Sequence, residues 1–263
     1  MLSLHKKMVW VYWGGDIYIC QKPNKTLSEK IYEQFRKILI RRIKYIAGFL
    51  PGDFELIKKW YKTNATYIPI IYPLPVKIDF SLQNRKNTKE STQILIGNSA
   101  DPSNNHIEAL SLLVKFKNEP INIICPLSYG GTKEYIENVI KTGCELFHEK
   151  FVPLTQFLPA DEYNLILQKT DIAIMCHNRQ QGLGNMLPLL SNSCKVFVKP
   201  NVTTFSYFQN IGITIFSIQK IKNLNFTEFI SFNSQWAKKN TEIIKEYFND
   251  STFVYLWAKA LNL

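Results

Sequence analysis

From residue 8 the chain runs MVWVYW, an unbroken apolar stretch that reads as a buried strand and stops at Gly14-Gly15-Asp16. YIAGFL (45–50) reads as a second strand, and PGDFELIKKWY after it has helical spacing. TYIPIIYPLPVKIDFSLQNRKNTKESTQ follows, proline-bearing and then polar without periodicity, which is the signature of a linker. From residue 94 the alternation is regular: strand ILIGN, helix NNHIEALSLLVKF, strand INIICPL, helix TKEYIENVIKT and a strand near CELFHE. Helix ADEYNLILQKT, strand DIAIMCH, helix NMLPLLSNS and strand KVFVK complete it. Helices alternating with short apolar strands predict an α/β fold of parallel sheets covered by helices. Ligands of such sheets sit at the carboxyl ends of the strands. The terminal EIIKEYFNDSTFVYLWAKAL reads as one or two helices whose aromatic residues pack.

At 263 residues and 46% hydrophobic content the chain suits two medium domains. No stretch has the 18 or so consecutive apolar residues of a membrane span, and the start has no secretory h-region, which points to the cytoplasm. Cys20, Cys125, Cys144, Cys176 and Cys194 are widely spaced, without paired C-x-x-C, and read as reduced core residues rather than a zinc site.

Charge changes the picture more than composition does. Residues 1–93 hold 17 Lys and Arg against 7 Asp and Glu, whereas residues 94–263 hold 15 against 14. The densest part, residues 30–46, places Ile31, Phe35, Ile38, Leu39, Ile43 and Ile46 at helical spacing among Lys30, Arg36, Lys37, Arg41, Arg42 and Lys44. Such a stripe either packs on a core with its charges solvated or lies against anionic headgroups or a phosphorylated partner. Nucleic acid is not expected as a partner, because no recognised binding motif accompanies the charge.

RQQGLGN (179–185) lies between strand DIAIMCH and the following helix. Gly182 and Gly184 free the backbone for a tight turn, and the amides there, with Gln180 and Gln181, can face an anion at a helix N-terminus. Arg179 adds a bidentate donor suited to phosphate. A second junction, ILIGNSADPSNNH, offers Gly97, Asn98, Ser99 and Asn104. Either loop alone is compatible with an ordinary turn, but two at one sheet edge point to a diphosphate. There is no G-x-x-x-x-G-K-[ST], and a G-x-G-x-x-G would need glycine where Leu187 stands, which disfavours P-loop and nicotinamide chemistry. No G-x-S-x-G, H-E-x-x-H or Asp-x-Asp occurs. No metal or other cofactor is therefore expected, and the diphosphate charge falls to Arg and backbone dipoles.

WVYWGGDIY, ILIGNSADPSNNHIEAL and RQQGLGN, in that order, resemble the TDP-N-acetylfucosamine:lipid II N-acetylfucosaminyltransferases, the 4-alpha-L-fucosyltransferase family 56 of glycosyltransferases. The resemblance runs from about Trp10 to the helix with Trp257 and implies a GT-B architecture of two Rossmann-like domains. It implies transfer of an amino-deoxy-fucose from dTDP to a polyprenyl-diphosphate-linked saccharide of enterobacterial common antigen, peripherally on the inner face of the membrane. The domains then read as 1–80 (acceptor side), 81–93 (linker), 94–233 (nucleotide-sugar side) and 234–263 (terminal helices returning to the first domain). Members carry strands and helices ahead of the W-G-x-D stretch, so the first domain reads as incomplete. Many retaining GT-B enzymes have glutamates where Gln181 and Leu189 stand here.

Within that frame Asp16 is the candidate base for the acceptor hydroxyl, facing the donor from the end of a first-domain strand; its alternative is to cap the Gly14-Gly15 turn. Trp13 and Tyr18 could stack on sugar rings. His106 could donate to diphosphate from the start of its helix, and His177 precedes Arg179 closely enough to join the same pocket. Tyr129 and the Phe157-Leu158-Pro159 turn are candidates for the nucleotide base by position. A non-catalytic nucleotide-sugar or lipid-linked glycan binder, and a basic membrane-peripheral scaffold, remain as alternative classes.

Overall fold

The computed structural model describes residues 8–73 and 90–262. Contacts divide the chain into two units, one of residues 1–73, 179–181 and 248–263, the other of residues 74–178 and 182–247. Most of the expected linker, 81–93, lies outside the described residues.

The first unit holds a parallel three-stranded sheet of β1 (Val9–Val11), β2 (Tyr45–Gly48) and β3 (Thr66–Pro69), in that order. β3 corrects the linker reading of TYIP: Pro69 is the last strand residue, where its missing N–H costs little. One helical turn, α1 (Gly14–Ile17), follows β1. Helix α2 (Leu27–Arg42) opens on a capping box in which Thr26 Oγ1 accepts the Glu29 N–H and Glu29 returns a carboxylate to the Thr26 N–H at 2.8 Å. Helix α3 (Pro51–Tyr61) starts with proline at its first position and stops at Lys62, in the left-handed region at φ 56°. Tyr12, Ile17, Ile40, Ile46, Ile57 and Tyr61 form the core. Gly48 has no room for a side chain, since a Cβ there would lie 2.0 Å from the Tyr12 ring.

The second unit is a six-stranded parallel sheet built from β4 (Thr92–Ile96), α4 (His106–Leu113), β5 (Ile121–Pro126), α5 (Lys133–Phe147), β6 (Phe151–Leu154), α6 (Ala160–Lys169) and β7 (Ile172–Met175). It continues through α7 (Leu183–Ser191), β8 (Lys195–Val198), α8 (Thr203–Asn210), β9 (Phe216–Ser217), α9 (Phe226–Ile230) and α10 (Ser234–Tyr247). The strand order is β6-β5-β4-β7-β8-β9. The sheet thus starts in its middle, and the order reverses between β4 and β7, the doubly wound arrangement whose ligand crevice lies at that reversal. Its core runs through Ile94, Ile96, Ile123, Ile172, Ile174 and Phe197. Buried Lys195 gives its Nζ to the Glu228 and Phe229 carbonyls at 2.9 Å each, satisfying the end of α9.

Two expectations need correction here. CELFHE itself is helical up to Phe147, and the strand expected near it, β6, begins only at Phe151: α5 runs on because Ile136, Val139, Ile140, Gly143 and Phe147 keep helical spacing. At Gly143 a Cβ would lie 2.5 Å from the Phe151 ring, so glycine lets β6 approach the helix. Of the cysteines, Cys125, Cys176 and Cys194 are buried, but Cys144 is exposed and Cys20 half-buried, because the helix turns Cys144 outward. The terminal pattern forms two helices: α10 packs on α7 in the second unit, and the last, α11 (Asp250–Leu261), belongs to the first, where Trp257 Nε1 donates to the Ile71 carbonyl at 2.9 Å.

Candidate nucleotide-sugar site

The loops after β4 and β7 meet at the reversal point of the second sheet. Gly97 turns the first at φ 70° and donates its N–H to the Ile174 carbonyl at 3.1 Å. A Cβ at Gly97 would lie 2.7 Å from Asn104 Oδ1 and 3.0 Å from His106 Nε2. Asn104, wholly buried, ties the loops: its Oδ1 accepts the Asn98 N–H at 3.0 Å and lies 3.0 Å from His177 Nε2, and its Nδ2 reaches Ser99 Oγ and the Asp101 carbonyl. An acceptor at that distance implies the His177 tautomer with its proton on Nε2. Asn105 Nδ2 adds a bond to the Cys176 carbonyl at 2.8 Å, and Asn178 N–H one to the Ser103 carbonyl at 2.9 Å.

In the second loop Gly182, at φ 71°, caps α7. A Cβ there would lie 2.9 Å from the His177 ring and 3.1 Å from Asn98 Oδ1. Gly97, Asn98, Ser99, Asn104, His106, His177 and Gly182 thus come together, and Gly184 lies in the first turn of α7, where amide N–H groups and the helix dipole favour an anion. His106 is wholly buried, with Nδ1 2.9 Å from the Tyr135 hydroxyl and Nε2 without a hydrogen-bond partner. Burial pushes its pKa down to about 4 against smaller upward pulls from the Ser99 backbone and Asp101, so the ring is neutral near pH 7.

A cavity of about 230 Å³ adjoins Asn98 in the same unit. Tyr129, Phe157, Leu158, Tyr163, Gln156 and Asn185 are among its lining residues, a largely apolar wall with a few polar groups, as small-ligand sites have. Asn185 Nδ2 donates to the Tyr163 hydroxyl at 2.6 Å. Tyr129, Phe157 and Leu158 are the candidates from sequence that line it; Tyr163 and Asn185, which no sequence pattern singled out, line it as well. Those two stand on separate helices, α6 and α7, and only their packing shows that they meet.

Arg179, Gln180 and Gln181 belong by their contacts to the first unit. There Gln180 fills the space beside Gly14, where a Cβ would lie 1.9 Å from Gln180 Oε1, and Arg179 Nη1 lies 3.6 Å from the equivalent point at Gly15. β1 ends at Val11, and Asp16 is the third residue of α1, its Oδ2 accepting the Trp13 N–H at 2.9 Å. Arg36 Nη2 holds the Asp16 carbonyl. Trp13 is exposed and stacks on Tyr72 at 4.1 Å, whereas Tyr18 packs edge-on to Trp60 with its pKa raised to about 12 by burial.

The model of the 4-alpha-L-fucosyltransferase family, glycosyl transferase group 56, matches residues 3–263. The chain belongs to that family. Among solved structures it is similar to WaaG, a glycosyltransferase involved in lipopolysaccharide biosynthesis, at 14% identity and a TM-score of 0.64 over 97% of this chain and 74% of that one. It is similar to sucrose-phosphate synthase from Thermosynechococcus elongatus at 12% identity and a TM-score of 0.68, over 97% and 67%. A third is S. aureus TarM, solved with fondaparinux, alpha-GlcNAc-glycerol and UDP, at 13% identity and a TM-score of 0.65, over 97% and 50%. At such identities the likeness is one of fold, and that fold is GT-B. The family 56 chain is thus a glycosyltransferase, an enzyme class that takes a nucleotide-sugar donor and a glycan acceptor. No helix among its described residues is long and apolar enough to cross a membrane.

Proposed function

We propose that this family 56 transferase moves a 4-acetamido-4,6-dideoxygalactose (N-acetylfucosamine) type sugar from dTDP to a polyprenyl-diphosphate-linked saccharide, in synthesis of a surface polysaccharide of the enterobacterial common antigen kind. The observation that carries the donor half is the meeting of Gly97, Asn98, His177 and Gly182 at the reversal point of the second sheet, beside a cavity sized for a small ligand. The loop amides and the N-terminus of α7 take the diphosphate, with Ser99 beside them. The base takes the cavity, against Tyr129 and Phe157. Arg179 supplies a charge-assisted contact to phosphate, supported by Gln180 and Gln181.

Asp16 is the base that receives the acceptor hydroxyl proton as the glycosidic bond to diphosphate breaks. Its Oδ2 already takes the Trp13 N–H, which fixes the carboxylate, and Trp13 offers an exposed ring to a sugar face. The enzyme works peripherally at the inner face of the cell membrane, where residues 30–46 meet anionic lipid.

Titration calorimetry with dTDP, and UDP as control, tests this reading. Saturable dTDP binding that weakens in Arg179→Ala and in Phe157→Ala supports it; equal indifference to both nucleotides overturns it.

A further inference from the structure

We infer that α2 and the lysine-lined cavity beside it dock the chain on an anionic phospholipid bilayer, the helix lying in the plane of the interface. This deepens the membrane partner of the proposed function and uses residues of the first unit only, apart from the nucleotide site.

The helix faces the opposite way from a core-packing stripe. Phe35 is 64% exposed, Leu27 75% and Ile31 51%, with Ile38 and Leu39 close behind, while Glu33 is 3% exposed and Ile40 packs in the core. Buried charge fixes this orientation. Glu33 pairs with Arg36 at 3.5 Å, and the Arg36 guanidinium lies over the Trp10 and Tyr61 rings at 5.3 and 5.4 Å while holding the Asp16 carbonyl. Arg41 Nε adds a bond to the Tyr61 carbonyl at 2.8 Å. Rotating α2 to hide its apolar stripe would break these bonds and strand the Glu33 carboxylate.

At about 100° per residue the exposed apolar side chains cover roughly a third of the helix circumference, with Lys30, Lys37 and Arg41 along one edge. Lys22 and Lys25 in the preceding loop join Lys30 and Lys37 around a cavity of about 390 Å³, with Asn24 and Gln34 as further donors. Glu33 contributes a carboxylate to its lining, but that charge is taken up by Arg36, and Glu29 is held by Lys22 at 2.5 Å. The cavity therefore presents excess positive charge to a phosphate, next to an apolar ridge that acyl chains would accept. A second copy of the chain fits less well, because its matching face carries the same sign of charge.

The test is co-sedimentation of the full chain with phosphatidylcholine vesicles, with and without phosphatidylglycerol. Binding is expected only with phosphatidylglycerol, and it should fall as salt rises. Ile31→Ser with Phe35→Ser should lower the partition coefficient at least about tenfold, since each removes an exposed apolar side chain that the bilayer would bury. Lys30→Gln with Lys37→Gln should lower it by roughly tenfold or more and flatten the salt dependence. Lys30, Ile31 and Phe35 are exposed and Lys37 is half-buried, with no hydrophobic core contact at any of the four, so thermal melting and dTDP titration should match the parent. Equal binding to neutral vesicles, no binding at all, or a serine variant that changes only the oligomeric state would each overturn the inference. dTDP binding tests the donor site separately, so one proposal can fail while the other stands.

Discussion

The carboxamide oxygen of Asn104 lies 3.0 Å from Nε2 of His177, 73 residues further along the chain, and takes the Asn98 N–H from its other side. One buried amide thus sets the spacing of two loops that leave different strands. In Asn104→Ala the Asn98 N–H and His177 Nε2 lose this buried acceptor, which costs about 1–3 kcal/mol. Urea unfolding should show that loss, and calorimetry should show dTDP affinity falling with it.

Gly182 and Gly212 share a positive φ, 71° and 86°, but not the same surroundings. A Cβ at Gly182 meets the His177 ring at 2.9 Å, whereas at Gly212 nothing lies nearer than 3.5 Å. Gly212→Ala should cost only the backbone penalty, about 1 kcal/mol, and leave nucleotide binding intact. Gly182→Ala should cost more and weaken dTDP at least about tenfold. Parallel denaturation and titration of the two variants separate strain from site geometry.

His106 makes stability depend on pH in a defined direction. Its folded pKa of about 4 lies below the ordinary 6.5, so the unfolded chain binds the proton first as pH falls. The stabilisation is present above pH 6.5 and is lost between there and about 4, to an extent on the order of 3 kcal/mol. Comparing urea unfolding at the two ends of that window with the same comparison in His106→Leu checks it: the variant should lose this part of the pH dependence.

Asp16→Asn keeps an oxygen for the Trp13 N–H, so the α1 turn should persist and stability should change by no more than about 0.5 kcal/mol. Turnover with a dTDP-sugar and a lipid-linked acceptor should drop by about 10²–10⁴ if this carboxylate is the base. Normal turnover in the variant would reassign Asp16 to capping alone.

The alternation of apolar runs and helical spacings made the second unit legible, because its central strands β4, β7 and β8 are almost wholly buried and each ends at a polar turn. Gly97 and Gly182 could be placed at one sheet edge for the same reason. What local pattern could not show was direction. Spacing alone leaves open whether Phe35 faces in or out; the choice depends on the Glu33–Arg36 pair, which gains its partners from Trp10, Asp16 and Tyr61 far along the chain. Asn104 and His106 look in sequence like loop donors, yet both are wholly buried, and Asn104 spends its amide on Asn98, His177 and Ser99. Tyr163 and Asn185 carry no local signal, since their bond joins two helices.

The middle-out order of the second sheet divides it into two wings, β4-β5-β6 and β7-β8-β9. Nearly all the cavity wall, from Pro126 through Tyr163, hangs on the first wing, whereas His177 and Gly182 stand on the second. Among the described residues, only Asn185 reaches across from the second wing to the cavity. On the proposed donor reading, side chains of the first wing can change to suit a new sugar or base while the turn into α7, on the second wing, stays as it is.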